Sequence, residues 1–247
     1  MTPNPYSKVS LNVRTDLAEA HGRALDRLSS PGTWFSGAKR LMIVDEVRNA
    51  KKCSFCKKQK EAISPNAVTG EHEGADGLSA PIVEIIHRIT TDSSRLTKGW
   101  VDNVIEQGVS DAEYVEIVAV VTTTISLDTF ARCIGIDPLI LPTPKEGEPS
   151  RIRPASATSE MAWVASVDIS VATPEEVQIY AEGKNNVRRA LSLVTAEARG
   201  FFDMVDHQYL NGAQIADFHN EVDDRAISRA QIELLASKVS ALNQCYY

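Results

Sequence analysis

The sequence predicts an all-α protein, and three observations lead to this prediction. Polar stretches rich in Pro and Gly separate long segments in which apolar residues recur at helical spacing. Capping-box pairs of the Ser-x-x-Glu or Ser-x-x-Gln type precede two of these segments. The first segment shows the helical spacing at Leu17, Ala20, Ala24 and Leu28.

Two helices are predicted before the first long loop. Thr15 is a candidate cap for a helix over residues 16–30. The second predicted helix starts near Ser36 and runs without interruption through residues 38–62. The polar, Gly-rich segment 64–81 is predicted to be a loop.

Three further helices are predicted at residues 81–89, 95–108 and 111–135. The third opens with a capping box formed by Ser110 and Glu113. Its β-branched run resembles a strand, but its length, its cap and its C-terminal glycine favour a buried helix of a bundle.

The chain after residue 140 is predicted to hold a linker and then more helices. The segment from about Leu141 to Ala162 is Pro-rich and polar. The last predicted helix opens at Ser228 and carries Ile232, Leu235, Val239 and Leu242 on one face. The other helices of this part are predicted at residues 173–183, 185–194 and 195–212, with Thr173 as a cap.

These elements predict three parts. A first helical unit spans residues 1–140, a linker spans 141–172, and a second helical unit spans 173–247. In both units a helix is followed by a helix that carries cysteine, so we expect an internal repeat whose second copy is incomplete.

Composition narrows the classes of function. The chain of 247 residues has a formal net charge of −7, which argues against nucleic acid as a partner. No uninterrupted apolar run reaches the roughly 18 to 20 residues that span a bilayer, and the N-terminus does not resemble a secretory signal. We therefore expect a cytoplasmic protein without a membrane partner. In a reducing compartment, a close cysteine pair indicates redox or metal chemistry.

The segment KKCSFCKK contains the strongest chemical signal. On a continuous helix, Cys53 and Cys56 would share one face and could form a disulfide. Glu46 would lie on that face two turns away, as a proton relay or as a solvated carboxylate. The flanking lysines are expected to favour the thiolate, and they are Lys51, Lys52, Lys57, Lys58 and Lys60.

Other interpretations of the cysteine pair stay open. Cys53 and Cys56 are alternatively two inert core residues, or zinc ligands together with His72, with or without His87. The histidine pair is not a convincing ligand set from spacing alone, so we expect neither a metal nor a cofactor. His87 is interpreted first as a core histidine, and Cys133 as a small apolar filler.

The C-terminal segment AQIELLASKVSALNQCYY resembles the signature helix of the alkylhydroperoxidase D-like, carboxymuconolactone decarboxylase-like superfamily. Proteins of this superfamily carry a Glu, eleven intervening residues and then Cys-x-x-Cys-x-x-x-His. Glu233 and Cys245 match the Glu and the first Cys, and the remaining positions would lie beyond Tyr247. In the first unit, Cys53 and Cys56 match the cysteine pair, whereas the Glu and His positions hold other residues.

Residues 110–136 and 185–205 also resemble parts of this superfamily's two-unit members, and the resemblance covers most of the chain apart from the N-terminal tail and the central linker. It implies an all-α helical bundle of the alkylhydroperoxidase D-like type that assembles as a homo-oligomer. It also implies thiol-based reduction of hydroperoxides, with electrons supplied by a thiol reductant. In the first unit, Glu46, His87 or Glu116 would replace the missing proton relay. In the second unit, Glu233 and Cys245 would act only if the chain continued. A non-catalytic helical assembly module and a carboxymuconolactone decarboxylase-like enzyme are the alternatives.

Overall fold

The computed structural model describes residues 4–160, 162–180, 186–222 and 225–245, and it confirms that the protein is mostly helical. In the first part of the chain the helices are α1 (Thr15–Ser29), α2 (Gly37–Ala50), α3 (Ser54–Glu61), α4 (Ala80–Asp92), α5 (Lys98–Glu106) and α6 (Asp111–Cys133). In the second part they are α7 (Pro174–Val177), α8 (Asn186–Ala190), α9 (Thr195–Gln208), α10 (Gly212–Ala216) and α11 (Arg229–Leu242).

Short elements connect these helices. Strands β1 (Ala157–Thr158) and β2 (Ser166–Val167) form an antiparallel pair, in which Ala157 lies opposite Val167. They are the only strands among the described residues. Three short 3-10 helices lie at Pro65–Ala67, Ser93–Arg95 and Gln178–Tyr180.

Helix α6 passes through the centre of the first part. The predicted capping box is present, since the Ser110 side chain accepts from the Glu113 N–H and the Glu113 carboxylate accepts from the Ser110 N–H. The β-branched run is helical, as predicted. By length and composition α6 is long and apolar enough to cross a membrane, but 67% of its most apolar window is buried inside the protein. Helices α2 and α4 pack against it and complete the core around Ile43, Val44, Ile86, Ile117 and Val120.

The prediction of one continuous helix over residues 38–62 is wrong. Helix α2 ends at Ala50, and the chain turns before α3 begins at Ser54, with Cys53 in an extended conformation at the α3 N-cap. The turn allows Phe55 and both cysteines to be buried while the lysines beside them stay exposed. A continuous helix would have had to bury cationic side chains or expose the cysteines, so the break is favourable.

The second part of the chain packs on the first through α9 and the linker. Arg23 in α1 donates two hydrogen bonds of 2.8 Å to the carboxylate of Asp203 in α9. The linker follows the surface of the first part, where the Lys145 N–H donates to the Ser29 carbonyl over 2.8 Å. These contacts place the linker and α9 against the bundle of the first part.

A buried ion triad joins three helices. Arg40 in α2 lies between Glu116 in α6 and Glu197 in α9, with its Nη1 atom 2.6 Å from one oxygen of each carboxylate. The Arg40 and Glu116 side chains are 1% and 0% exposed, and Glu197 is 11% exposed. The triad is therefore an electrostatic contact inside the core, where unpaired charges are costly.

Helix α11 opens with the predicted capping box of Ser228 and Gln231. Of the predicted apolar face, however, only Ile232 is buried, and Leu235, Val239 and Leu242 are 58%, 56% and 70% exposed. The α-helix predicted over 173–183 is also shorter, since α7 ends at Val177 before a 3-10 turn. Residues 181–183 of that prediction, residue 185 of the next helix, and Tyr246 and Tyr247 lie outside the described residues.

Candidate functional site

Four side chains with sulfur or imidazole groups converge at one place in the first part of the chain. They are Cys53, Cys56, His72 and His87, and their ligand-type atoms all lie within 4.8 Å of one another. The two cysteines are 5% and 3% exposed, and His87 is fully buried. We call these four residues the Cys–His cluster.

Local structure explains how the cluster forms. Cys53 precedes α3 and Cys56 lies in its first turn, so both side chains point to the start of the helix. His87 belongs to α4, which packs on α3. His72 comes from the loop between α3 and α4, where the Phe55 ring lies edge-on at 4.9 Å and holds the imidazole against the cysteines.

The sulfur of Cys56 lies between two imidazole rings. Its Sγ atom is 3.1 Å from Nδ1 of His87 and 3.4 Å from Nδ1 of His72. The Sγ atom of Cys53 is 3.6 Å from the same Nδ1 atom of His72. These distances permit hydrogen bonds to sulfur from both rings.

A carboxylate lies at hydrogen-bond distance from the Nε2 atom of each histidine. Nε2 of His87 is 2.6 Å from Oε1 of Glu46, and both side chains are fully buried. Nε2 of His72 is 2.7 Å from Oε2 of Glu84. Because Nε2 of each ring faces an acceptor, Nδ1 of each ring is directed at the cysteine sulfurs.

The two carboxylates are themselves fixed. Glu46 accepts a hydrogen bond of 2.7 Å from the backbone N–H of Ala75 and another of 3.1 Å from the Asn49 amide. Glu84 accepts a hydrogen bond of 2.8 Å from the indole N–H of Trp100. The Cys–His cluster therefore has an outer layer of oriented partners on both sides.

The surroundings favour the thiolate of each cysteine. Burial raises the pKa of Cys56, but hydrogen bonds from His72 and His87 outweigh it and bring the pKa to about 6. Burial likewise raises the pKa of Cys53, but the backbone N–H of Cys56 and the His72 ring outweigh it, so that the pKa lies below its ordinary value.

The pKa values of the two histidines shift upward, in the opposite direction to those of the cysteines. Burial lowers the pKa of His72, but its contacts with Cys56 and Glu84 outweigh burial and raise the pKa to about 10. The pKa of His87 is also raised, because Cys56 and Glu46 outweigh the effect of burial. Near neutral pH a Cys56 thiolate beside a protonated His72 ring is therefore favoured, and the pKa of His87 is shifted in the same direction as that of His72.

The source of thiolate stabilisation differs from the one predicted. All five flanking lysines are exposed. The groups that lower the pKa of Cys56 are instead the imidazoles of His72 and His87, at hydrogen-bond distance. A surface ammonium that is screened by solvent lowers the pKa of a thiol only weakly, whereas a buried imidazolium in contact with the sulfur lowers it strongly.

The structure brings together four of the predicted site residues, namely Cys53, Cys56, Glu46 and His87. It places Glu116 elsewhere, in the ion triad with Arg40, where its Oε2 accepts from the Trp34 N–H over 2.6 Å. Glu233 contacts Arg229 at 3.1 Å and the Tyr209 hydroxyl at 2.7 Å. Cys245 is exposed, and so is Cys133, which was predicted to be a small apolar filler.

Sequence reasoning did not assign a relay role to His72 or Glu84. His72 lies in a loop without periodicity, so no spacing rule connects it with the cysteines. The position of Glu84 near the site could have been predicted, since it lies three residues before His87 and therefore on the same side of α4.

We expect the native, chelator-treated protein to show a thiolate absorbance step at 240 nm with a midpoint near pH 6, the pKa of Cys56. The thiol is protonated below that pH and is a thiolate above it. In denaturant the imidazoles no longer contact the sulfur, so the step should move to about pH 8.5, the value for an ordinary thiol. Cys56→Ser should remove the step, and Cys133→Ser, the matched control, should leave it. Absence of a step near pH 6 in the native protein would contradict the described contacts.

Comparisons with known proteins give no match, since no family profile, curated protein or solved structure resembles the chain significantly.

Proposed function

We propose that the protein is a thiol oxidoreductase that reduces hydroperoxides by cycling Cys53 and Cys56 between dithiol and disulfide. One observation carries the proposal: the Cys56 sulfur lies 3.1 and 3.4 Å from two imidazole nitrogens, each backed by a carboxylate. A thiolate with acid groups beside it and a second thiol nearby meets the requirements of peroxide reduction.

The first step uses Cys56 as the nucleophile. Its thiolate attacks the distal oxygen of the hydroperoxide, an S–O bond forms and the O–O bond breaks. The leaving alkoxide takes a proton from an imidazolium, for which both Nδ1 atoms that face the Cys56 sulfur are placed. The products are a Cys56 sulfenic acid and an alcohol, or water when hydrogen peroxide is the substrate.

The second step uses Cys53 as the resolving thiol. Its sulfur attacks the Cys56 sulfur, the S–S bond forms, and the S–O bond breaks to release water. His72 contacts both sulfurs, at 3.6 Å and 3.4 Å, and can transfer the proton from one to the leaving oxygen on the other. Two external thiols, or one dithiol, then reduce the disulfide, are themselves oxidised to a disulfide, and return two electrons and two protons to the pair.

Several broader properties belong to the same proposal. We infer a bundle of the alkylhydroperoxidase D-like type, a cytoplasmic location and a homo-oligomer that needs neither nucleic acid nor membrane. The all-α fold and the buried cysteine pair support the first two, because free thiols persist in a reducing compartment. The exposed apolar side chains of α11, Leu235 and Leu242 among them, support assembly.

Thiol titration with and without hydroperoxide tests the proposal. The reduced protein has four free cysteines, at positions 53, 56, 133 and 245. One equivalent of cumene hydroperoxide should protect Cys53 and Cys56 from labelling in denaturant and leave the other two reactive. The Cys133→Ser/Cys245→Ser variant should lose two thiols per molecule to peroxide as the parent does. If all four cysteines stay reactive in folded protein, the non-catalytic alternative is favoured.

A further inference from the structure

The Cys–His cluster also has the composition of a metal site. We propose that, with both cysteines reduced, Cys53, Cys56, His72 and His87 bind one Zn²⁺ ion as its four protein ligands. The proposal goes beyond the thiol chemistry above and does not depend on it, because it concerns the equilibrium affinity of the reduced protein for a cation.

The spacing of the donor atoms fits a tetrahedral ion. Bonds of about 2.3 Å to sulfur and 2.0–2.1 Å to nitrogen place the donors of a tetrahedral zinc site roughly 3.3 to 3.8 Å apart. Three sulfur–nitrogen distances within the cluster are 3.1, 3.4 and 3.6 Å. All four donors lie within 4.8 Å of one another, so small side-chain shifts bring each to bonding distance.

The orientation of the rings is that of metal ligands. A histidine that binds a metal through one nitrogen usually donates its other N–H to a carboxylate or carbonyl, which fixes the ring and strengthens the ligand. Both histidines of the cluster have this arrangement: Nδ1 faces the sulfurs, and Nε2 faces Glu84 at 2.7 Å or Glu46 at 2.6 Å. A histidine that only filled the core would not require a carboxylate at its other ring nitrogen.

The ligand chemistry selects the cation. Two thiolates and two imidazoles favour a borderline or soft ion and disfavour Mg²⁺ and Ca²⁺, which prefer oxygen. Zn²⁺ is the common tetrahedral ion for this set of donors. Its two positive charges would balance those of the two thiolates.

A zinc ion with these four ligands has no open position for water. The site is therefore a closed one, and its consequence is to mask the cysteines. Hydroperoxide and zinc then compete for the same two thiolates. Oxidation of the zinc-bound pair consumes two protons and one hydroperoxide, and it yields the disulfide, an alcohol, water and free Zn²⁺.

Cobalt(II) substitution tests the site directly, without peroxide. The reduced protein titrated with Co²⁺ alone should bind one equivalent and show the intense visible bands of tetrahedral cobalt together with a thiolate-to-cobalt absorption in the near ultraviolet. Zn²⁺ should abolish these bands stoichiometrically. The Cys133→Ser/Cys245→Ser variant, matched in cysteine chemistry but outside the cluster, should bind cobalt as the parent does.

Ligand variants give the decisive comparison. Cys53→Ser should lose roughly half of the thiolate-to-cobalt absorption, and His72→Ala should weaken zinc binding measured by competition with a chromogenic chelator. Glu84→Gln keeps all four ligands, and we expect about 10- to 100-fold weaker zinc binding, as for other outer-shell partners. Circular dichroism confirms that each variant is folded before titration.

Two results would overturn the proposal: octahedral cobalt spectra without thiolate absorption, or cobalt bands that survive in the folded Cys53→Ser/Cys56→Ser variant. Failure of the metal site and failure of the thiol chemistry remain distinguishable. Peroxide-dependent protection of Cys53 and Cys56 without cobalt bands supports the oxidoreductase alone, whereas cobalt bands without protection support a zinc site alone.

Discussion

Substitution of Cys56 by serine is expected to reduce the rate of hydroperoxide reduction at least about 100-fold, to that of an unassisted surface thiol. The reason is the position of this sulfur, which contacts both imidazoles, whereas Cys53 contacts only His72. Cys53→Ser is expected to behave differently. It retains the nucleophile, so the first oxidation should proceed and stop at a Cys56 sulfenic acid that dimedone traps.

Stopped-flow measurement of hydroperoxide consumption, followed by mass spectrometry of dimedone-treated protein, distinguishes the two roles. Cys133→Ser is the matched control, because it removes a free cysteine outside the cluster and should leave the rate unchanged. Dimedone on Cys53 in the Cys56→Ser variant, at the parent rate, would reverse the assignment of nucleophile and resolving thiol.

His87→Gln extends the same argument to the proton relay. The glutamine cannot carry the positive charge that stabilises the Cys56 thiolate. The pH dependence of the rate should therefore shift toward the pKa of an ordinary thiol, about 8.5. A merely structural role for His87 would lower the stability and leave this pH profile unchanged. The profile therefore separates a contribution to chemistry from a contribution to packing.

The fold class could be predicted from sequence because helix patterns and caps are local. The capping boxes at Ser110 and Ser228 and the long helix α6 are present as predicted. The break between α2 and α3 could not be predicted in this way. Its cause is tertiary, since Cys53 and Phe55 are buried against the loop and α4 while the adjacent lysines face solvent.

The candidate site was predictable only in part, for a related reason. Cys53 and Cys56 form a local motif, and His87 could be proposed from its place on a buried helix. Glu46 was predicted from its spacing on a helix that in fact ends at Ala50, and it joins the cluster through His87. The identity of their partners depends on which elements pack together, and spacing in the sequence does not contain this information. His72 reaches the cysteines from a loop, and Glu84 acts only through His72, so both required the folded chain.

Substitution of Arg40 by alanine is expected to lower the free energy of unfolding by about 3–5 kcal/mol at pH 8. The substitution leaves Glu116 and Glu197 close together, with Glu116 fully buried and no cation between them. Burial already raises the pKa of Glu116 in the native protein, despite the opposing effect of Arg40. Without Arg40 that pKa rises further, and the folded protein binds a proton that the unfolded chain releases.

The sign of the pH dependence follows from this difference in proton binding. A carboxyl whose pKa is higher in the folded state destabilises that state increasingly as pH rises above its unfolded value, about 4.3. Urea denaturation of Arg40→Ala should therefore show a smaller loss at pH 5 than at pH 8. Adding Glu116→Gln to the variant should recover part of the loss, because the amide is neutral.

Arg23→Ala is the matched control, because Arg23 also pairs with an α9 carboxylate, Asp203, but both side chains are partly exposed, at 40% and 31%. Its removal is expected to cost about 0.2–1 kcal/mol, since solvent screens the pair. Equal losses for the two arginine variants would mean that burial does not decide the strength of these contacts. The folded Arg40→Ala protein should still titrate Cys56 near pH 6, because α2 carries Arg40 and Glu46 at separate positions and only Glu46 contacts His87.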